Sequence, residues 1–74
     1  TMIYFVRVDF DREVHAPAIG FTKTIFDFVQ ADTEVEGTQK VKDYYHKKYD
    51  LGCEVSQVKK ALRQDPDRYI SLIQ

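Results

Sequence analysis

Asp9, Asp11, Glu13 and His15 stand two residues apart, and they are the first place where this sequence could hold chemistry. In an extended backbone alternate residues share a face, so three carboxylates and an imidazole would line up there. Such a set offers the oxygen and nitrogen donors that divalent cations accept. The same spacing also describes the solvated side of a strand, and no glycine-spaced calcium loop accompanies it. The row is read as a wet strand face or loop, and neither a metal nor any other cofactor is expected.

A second candidate is the stretch KVKDYYHKKYD at 40–50, with four lysines, three tyrosines and a histidine in eleven residues. An exposed aromatic among ammonium groups can stack on a base while the lysines meet phosphates. Lys40, Tyr44, Lys47 and Lys48 would form that surface, extended by Lys59, Lys60 and Arg63 further along. Against it stands the charge balance of the chain, 11 bases and 12 acids for a net charge of -1, where strong nucleic-acid binders carry a basic excess. The plainer reading is that lysine stems cover the Tyr44 ring at the edge of the core. Nucleic acid is kept as the alternative partner. A helix-turn-helix reading, with Gly52 as the turn glycine and Lys59, Lys60 and Arg63 facing DNA, matches poorly because Lys48 stands where the crossing helices want a small side chain.

Nucleophilic catalysis finds little footing. Ser56 and Ser71 lack elbow glycines, Cys53 lacks a neighbouring base, His46 falls on a hydrated helix side, and there is no phosphate loop or dinucleotide fingerprint. A chain of 74 residues also struggles to enclose a substrate-sized pocket. The expectation is a protein that is not an enzyme and has no small-molecule substrate. The lone cysteine rules out an intramolecular disulfide, which fits a reducing, cytoplasmic setting. No apolar run reaches the roughly 18 residues of a membrane span.

Hydrophobic residues make up 43% of the chain, ten of them aromatic, with only three Gly and two Pro, the composition of one folded domain over residues 1–74. Charge is unevenly spread. Residues 1–37 carry three bases and seven acids, and residues 38–74 carry eight bases and five acids, so the halves differ in sign.

The elements that must position these residues follow from periodicity. Residues 2–10 alternate as a strand, with Tyr4, Val6, Val8 and Phe10 on a core face and Ile3, Phe5, Arg7 and Asp9 on the other. After a connection punctuated by Pro17 and Gly20, residues 22–31 are read as a second, antiparallel strand, although Phe21, Ile25, Phe28 and Val29 also fit a helical stripe. Thr33 and Glu36 form a capping box that opens a helix running to about Asp50, closed by Gly52. Its inward stripe is Thr38, Val41, Tyr45 and Tyr49, and Glu36–Lys40 and Asp43–Lys47 are spaced as surface ion pairs. Gly37 signals close approach by another backbone. Residues 53–62 fit a third strand or a short helix equally well. Asp65, Pro66 and Asp67 then start a short terminal helix that docks through Tyr69, Ile70 and Ile73.

The expected fold is α+β, a small antiparallel sheet of two or three strands packed against one long helix, in the order β-β-α-(β or α)-α. Ile3, Phe5 and Arg7, on the strand face away from the helix, are the expected partner-binding residues, because two large apolar side chains there require a cover. A protein partner or self-association is the leading expectation.

Overall fold

The structure, a computed structural model, describes all residues 1–74. Strands β1 (Met2–Ala16) and β2 (Gly20–Ala31) form an antiparallel hairpin, α1 (Glu34–Tyr49) follows, and β3 (Cys53–Lys60) returns antiparallel to β1. The sheet order is β2-β1-β3, so the first strand is the central one. A single 3-10 turn, Pro66–Arg68, precedes an extended C-terminal tail. The α+β class and the β-β-α-β order are those that the periodicity predicts. The open choice over 53–62 is settled as a strand through Lys60, which removes the second helix that a helix-turn-helix would need.

Alternation on β1 sets the layers. Tyr4, Val6, Val8 and Phe10 face the helix and meet Val29 and Ala31 of β2 and Val41 and Tyr45 of α1 in one buried cluster. Full burial of such side chains contributes roughly 1.5–3 kcal/mol each, the main force holding the helix on the sheet. The helix starts as its sequence dictates. Thr33 Oγ1 accepts from the Glu36 amide at 3.1 Å, one of the donors a helix N-terminus leaves unpaired. The reciprocal half of the capping box is absent, because the Glu36 carboxylate pairs instead with Lys40 one turn on, at 3.2 Å. Asp43 likewise accepts from Gln39, at 2.9 Å, rather than pairing with Lys47.

The helix ends one residue type away from expectation. Asp50, not Gly52, takes the left-handed conformation (φ 54°), and its amide bonds back to His46. Aspartate tolerates this conformation better than most side chains. Gly52 serves close approach: a Cβ there would lie 2.8 Å from Asp11 Oδ2, while its carbonyl accepts the Asp11 amide at 3.0 Å. Tyr49 is the last helical residue and is 53% exposed, so the inward stripe is carried by Gly37, Val41 and Tyr45.

The terminal helix is the main correction. Asp65 does cap as predicted, accepting from the Asp67 amide at 3.1 Å, but only one turn forms. Nine residues after Asp65 are too few for a helix to nucleate without packing, and Ile70 is fully exposed. The tail instead uses its backbone: Ile73 donates to Phe28 O at 3.0 Å and accepts from Gln30 at 2.8 Å, a one-residue parallel bridge on the outer edge of β2.

The segment after β3 closes the far end of the sheet. Ala61 donates to Ile3 O, and the Gln64 side chain bonds the Ile3 amide (2.7 Å), the Ile3 carbonyl and the Ala61 carbonyl (both 2.9 Å). Ile3 is 1% exposed beneath it. Gln64→Ala removes all three side-chain bonds and is expected to lower stability by about 1 kcal/mol, read as a shifted urea midpoint with an unchanged slope.

Candidate functional site: an aromatic groove on the open sheet face

The helix covers one face of the sheet and leaves the other to solvent. On that face the cross-strand register places Phe28 beside Phe5, Phe26 beside Arg7 and, from the other edge, Lys59 beside Phe5. Neighbours on one face of an antiparallel sheet are close enough for ring contact. Phe5 stacks on Phe26 with centroids 5.3 Å apart and planes 8° from parallel, and meets Phe28 at 5.3 Å. Tyr69 from the tail lies 4.6 Å from Phe28, with its hydroxyl donating to Arg63 O at 2.5 Å. The Lys59 ammonium sits 5.6 Å from the Phe5 centroid. A ring face attracts a cation in that geometry.

Phe5, Phe28, Leu62 and Tyr69 give an open groove of about 480 Å³ its apolar lining, with Phe26 stacked just outside it. Lys59 and Arg63 supply its charge, Lys60 borders it from a position paired with Tyr4 on the helix side, and no acid contributes to the lining. The groove therefore offers apolar and π surface next to two or three hydrated cations. That combination takes a ligand that is apolar at its centre and anionic at its margin.

The expected partner-binding trio divides. Phe5 lies in the groove, Arg7 lies beside it with Nε 3.3 Å from Asp9 Oδ1, and Ile3 is closed off by its own chain. Phe26, Phe28, Leu62 and Tyr69 are the residues that sequence reading missed. For Phe26 and Phe28 the signal was present, since β2 alternation puts Thr24, Phe26, Phe28 and Gln30 on one side. Tyr69 and Leu62 reach the groove only because the tail turns back, which no local pattern encodes.

The basic set divides as well. Lys59, Lys60 and Arg63 line the groove, whereas Lys40, Tyr44, Lys47 and Lys48 belong to the helix on the opposite layer. Lys40 is held by the Gln30 carbonyl at 2.9 Å and by Glu36, and Lys48 donates to the Tyr44 hydroxyl at 3.1 Å and sits against the Tyr44 and Tyr49 rings. Tyr44 packs edge-on to Tyr45, centroids 5.0 Å apart, as a half-buried margin of the core. Lys47 remains exposed.

The acidic row does not converge. The Asp9 carboxyl is held below its usual range by the Ser56 hydroxyl, by the Thr24 hydroxyl donating at 2.7 Å and by Arg7, and Asp11 is lowered by its own neighbour Arg12. His15 packs instead against Phe21 at 5.3 Å. No three histidine, cysteine, aspartate or glutamate side chains come together as a metal cage. A register shift between Asp9 and Val14 breaks the even spacing that the row required. Burial pushes the Cys53 thiol up, away from the thiolate a nucleophile needs.

The fold and the groove together define a small α+β protein with one sheet face covered by a helix and the other left open. No protein-family model matches the chain, and comparison with curated proteins and with solved structures gave no match. No helix is long and apolar enough to cross a membrane.

Proposed function

We propose that this chain is a non-catalytic binding module that holds a segment of a protein partner in the groove between Phe5, Phe28, Tyr69 and Arg63. The single observation that carries the reading is the groove's lining, apolar and aromatic with Lys59, Lys60 and Arg63 present and no acid. A partner segment with one or two large apolar side chains flanked by Asp or Glu fits it in both polarity and charge. Leu62 is fully exposed beside the groove, and Phe26 is more than half exposed. Such aliphatic and aromatic surface is what protein interfaces bury at their centres.

Nucleic acid is the second reading, favoured by Lys59 over the Phe5 ring and by the aromatic stack across adjacent strands. It ranks lower because the seven residues expected to follow a phosphate backbone are split between the two layers of the fold. Only Lys59 and Arg63 bring cations to the groove's open face.

Selection from a displayed library of random 12-residue peptides tests the proposal. Enriched sequences are expected to pair an aromatic or aliphatic residue with acids, and their binding is expected to weaken about tenfold or more in Arg63→Glu and in Leu62→Ser. Both side chains are exposed, so both variants should melt as the parent does. Failure to enrich such peptides, with salt-sensitive binding of single-stranded oligonucleotides lost in Arg63→Glu, would replace this reading with the second.

A further inference from the structure

The two edges of the sheet are treated differently. On β2 the outward backbone groups of Thr24 and Gln30 and the Phe28 carbonyl are taken up by the chain itself, leaving only the stretch around Phe26 open. The Thr22 hydroxyl accepts from the Thr24 amide at 3.1 Å and donates to the Thr24 carbonyl at 2.9 Å, and Ile73 takes Phe28 O and Gln30 N. On β3 nothing plays that part. Its inward bonds are fixed at both ends, by Ala61 to Ile3 and by Asp11 to Gly52, so by alternation Ala61, Lys59, Gln57, Glu54 and Gly52 bond toward β1. Cys53, Val55, Val58 and Lys60 then present their amides and carbonyls to solvent. An open edge of this kind is a template for another strand.

The edge carries its own complement. Between Arg7 and Val8 the β1 register steps from Gln57 to Val55, which makes Ser56 an extra residue, a bulge. In a regular strand Glu54 and Lys59, five residues apart, would point to opposite faces. With the bulge between them, both leave the backbone on the open face, paired with Asp9 and Phe5, and the Glu54 carboxylate turns around the edge strand toward Lys42 of α1. Val55 and Val58 likewise both stand on the helix side, paired with Val8 and Val6, each only partly covered.

We infer that two copies of this chain pair antiparallel along β3, about a two-fold axis between Ser56 and Gln57, to give a continuous six-stranded sheet. In that register Glu54 faces Lys59 of the second copy, Val55 faces its Val58, and Cys53 faces its Lys60. Every pair occurs twice. Each facing pair shares a side of the sheet, and the outward backbone groups of Val55 and Val58 meet those of Val58 and Val55. The bulge sits on the axis, so it opposes itself and leaves the register intact. Glu54 already accepts from Lys42 at 3.3 Å, but its side chain is 81% exposed and has room for a second cation. An unrelated strand would lack this match of charge, valine and bulge. Lys59 and Lys60 border the groove as well as the seam, so the groove's Phe5, Phe28, Tyr69 and Arg63 are the part that the pairing leaves untouched.

Sedimentation equilibrium of the full chain across micromolar to millimolar concentrations, with charge-exchange variants, tests it. The parent is expected to form dimers. Glu54→Lys and Lys59→Glu each set like charges opposite one another twice, and each is expected to raise the dissociation constant by about tenfold or more. An equimolar mixture of the two variants restores both opposite-charge pairs and is expected to restore association. That rescue excludes misfolding as the cause of the loss. Lys60→Cys is expected to yield a covalent dimer with native Cys53 under mild oxidation, since a hydrogen-bonded pair holds its Cα atoms about 5.5 Å apart, within disulfide reach. Within one chain the two positions are roughly 23 Å apart along the strand, so the link can only join copies. A parent that stays monomeric at millimolar concentration overturns the inference. So does a dimer whose strength none of these substitutions changes.

Discussion

Gly37→Leu is expected to cost about 3 kcal/mol or more, enough to unfold a large share of so small a domain. Gly37 is buried one turn into α1, where the helix crosses the end of the hairpin. A Cβ added there would lie 3.3 Å from Val29 Cγ1, 3.6 Å from Ala31 Cβ and 3.6 Å from Tyr4 Cδ2. Val29 and Ala31 are fully buried and have no space to retreat into. Three further carbons would have to lift the helix off the sheet, exposing Val41 and Tyr45 with it. Gly37→Ala separates the causes. It adds one methyl at a tight but not impossible distance, while replacing glycine in a helix gains roughly 1 kcal/mol of propensity, so the two effects should nearly cancel. Urea denaturation of both variants checks the contrast, and a leucine variant as stable as the parent would mean the helix does not cross there.

The second large effect centres on Tyr45 and Asp27. The Tyr45 hydroxyl donates to the Asp27 carboxylate on the helix side of the sheet, next to Val6 across the hairpin. Burial pushes the Asp27 carboxyl up and the Tyr45 bond pulls it partly back, while burial and the Asp27 charge push the Tyr45 phenol well up. Tyr45→Phe leaves a half-buried carboxylate with no donor, at a cost of about 2 kcal/mol near neutral pH. A carboxyl whose folded pKa is raised stabilises the fold in its protonated state. Its contribution is complete below the unfolded value near 4 and is lost as pH rises through the folded value. Without Tyr45's hydroxyl that folded value climbs further, so Tyr45→Phe should lose stability more steeply between pH 4 and 7 than the parent. Asp27→Asn keeps an acceptor for the hydroxyl and removes the charge, so its profile should lack the loss with rising pH that Asp27 causes and its stability should at least equal the parent's at pH 7. Denaturation midpoints at pH 4, 5.5 and 7 distinguish the three chains. Identical pH profiles would show that Asp27 is fully solvated.

The groove and the β3 edge differ in what each asks of the chain. The groove needs the tail to turn back over β2, and it is completed by side chains. The edge needs only backbone direction and a bulge. The two surfaces share Lys59 and Lys60, but Arg63 lies only in the groove and Glu54 only at the edge, so the Arg63→Glu and Glu54→Lys variants probe them separately.

The sequence by itself determined what depends on neighbours. Two-residue alternation in Tyr4, Val6, Val8 and Phe10 marked the buried side of β1, because pleating turns every second side chain the same way. Thr33 marked the start of α1, because its hydroxyl meets an amide three residues on. The stripe of Val41 and Tyr45 followed from 3.6-residue periodicity, whereas the close approach expected at Gly37 is made by the side chains of Val29, Ala31 and Tyr4 and not by another backbone. Tyr49, the last residue of the helix, stacks on Tyr45 at the margin of the core and stays half exposed. What only the tertiary structure decided depends on residues far apart in the chain. Residues 53–60 became a strand because β1 offered a free edge, and their local preference was evenly divided. Ile3 became buried because Gln64, 61 residues later, bonds both of its backbone groups. Lys59 joined Phe5 and Phe28, while Lys40 and Lys48 went to the opposite layer. Alternation fixes the side of a strand, but which strands adjoin, and where a tail crosses them, is set by burial summed over the whole chain.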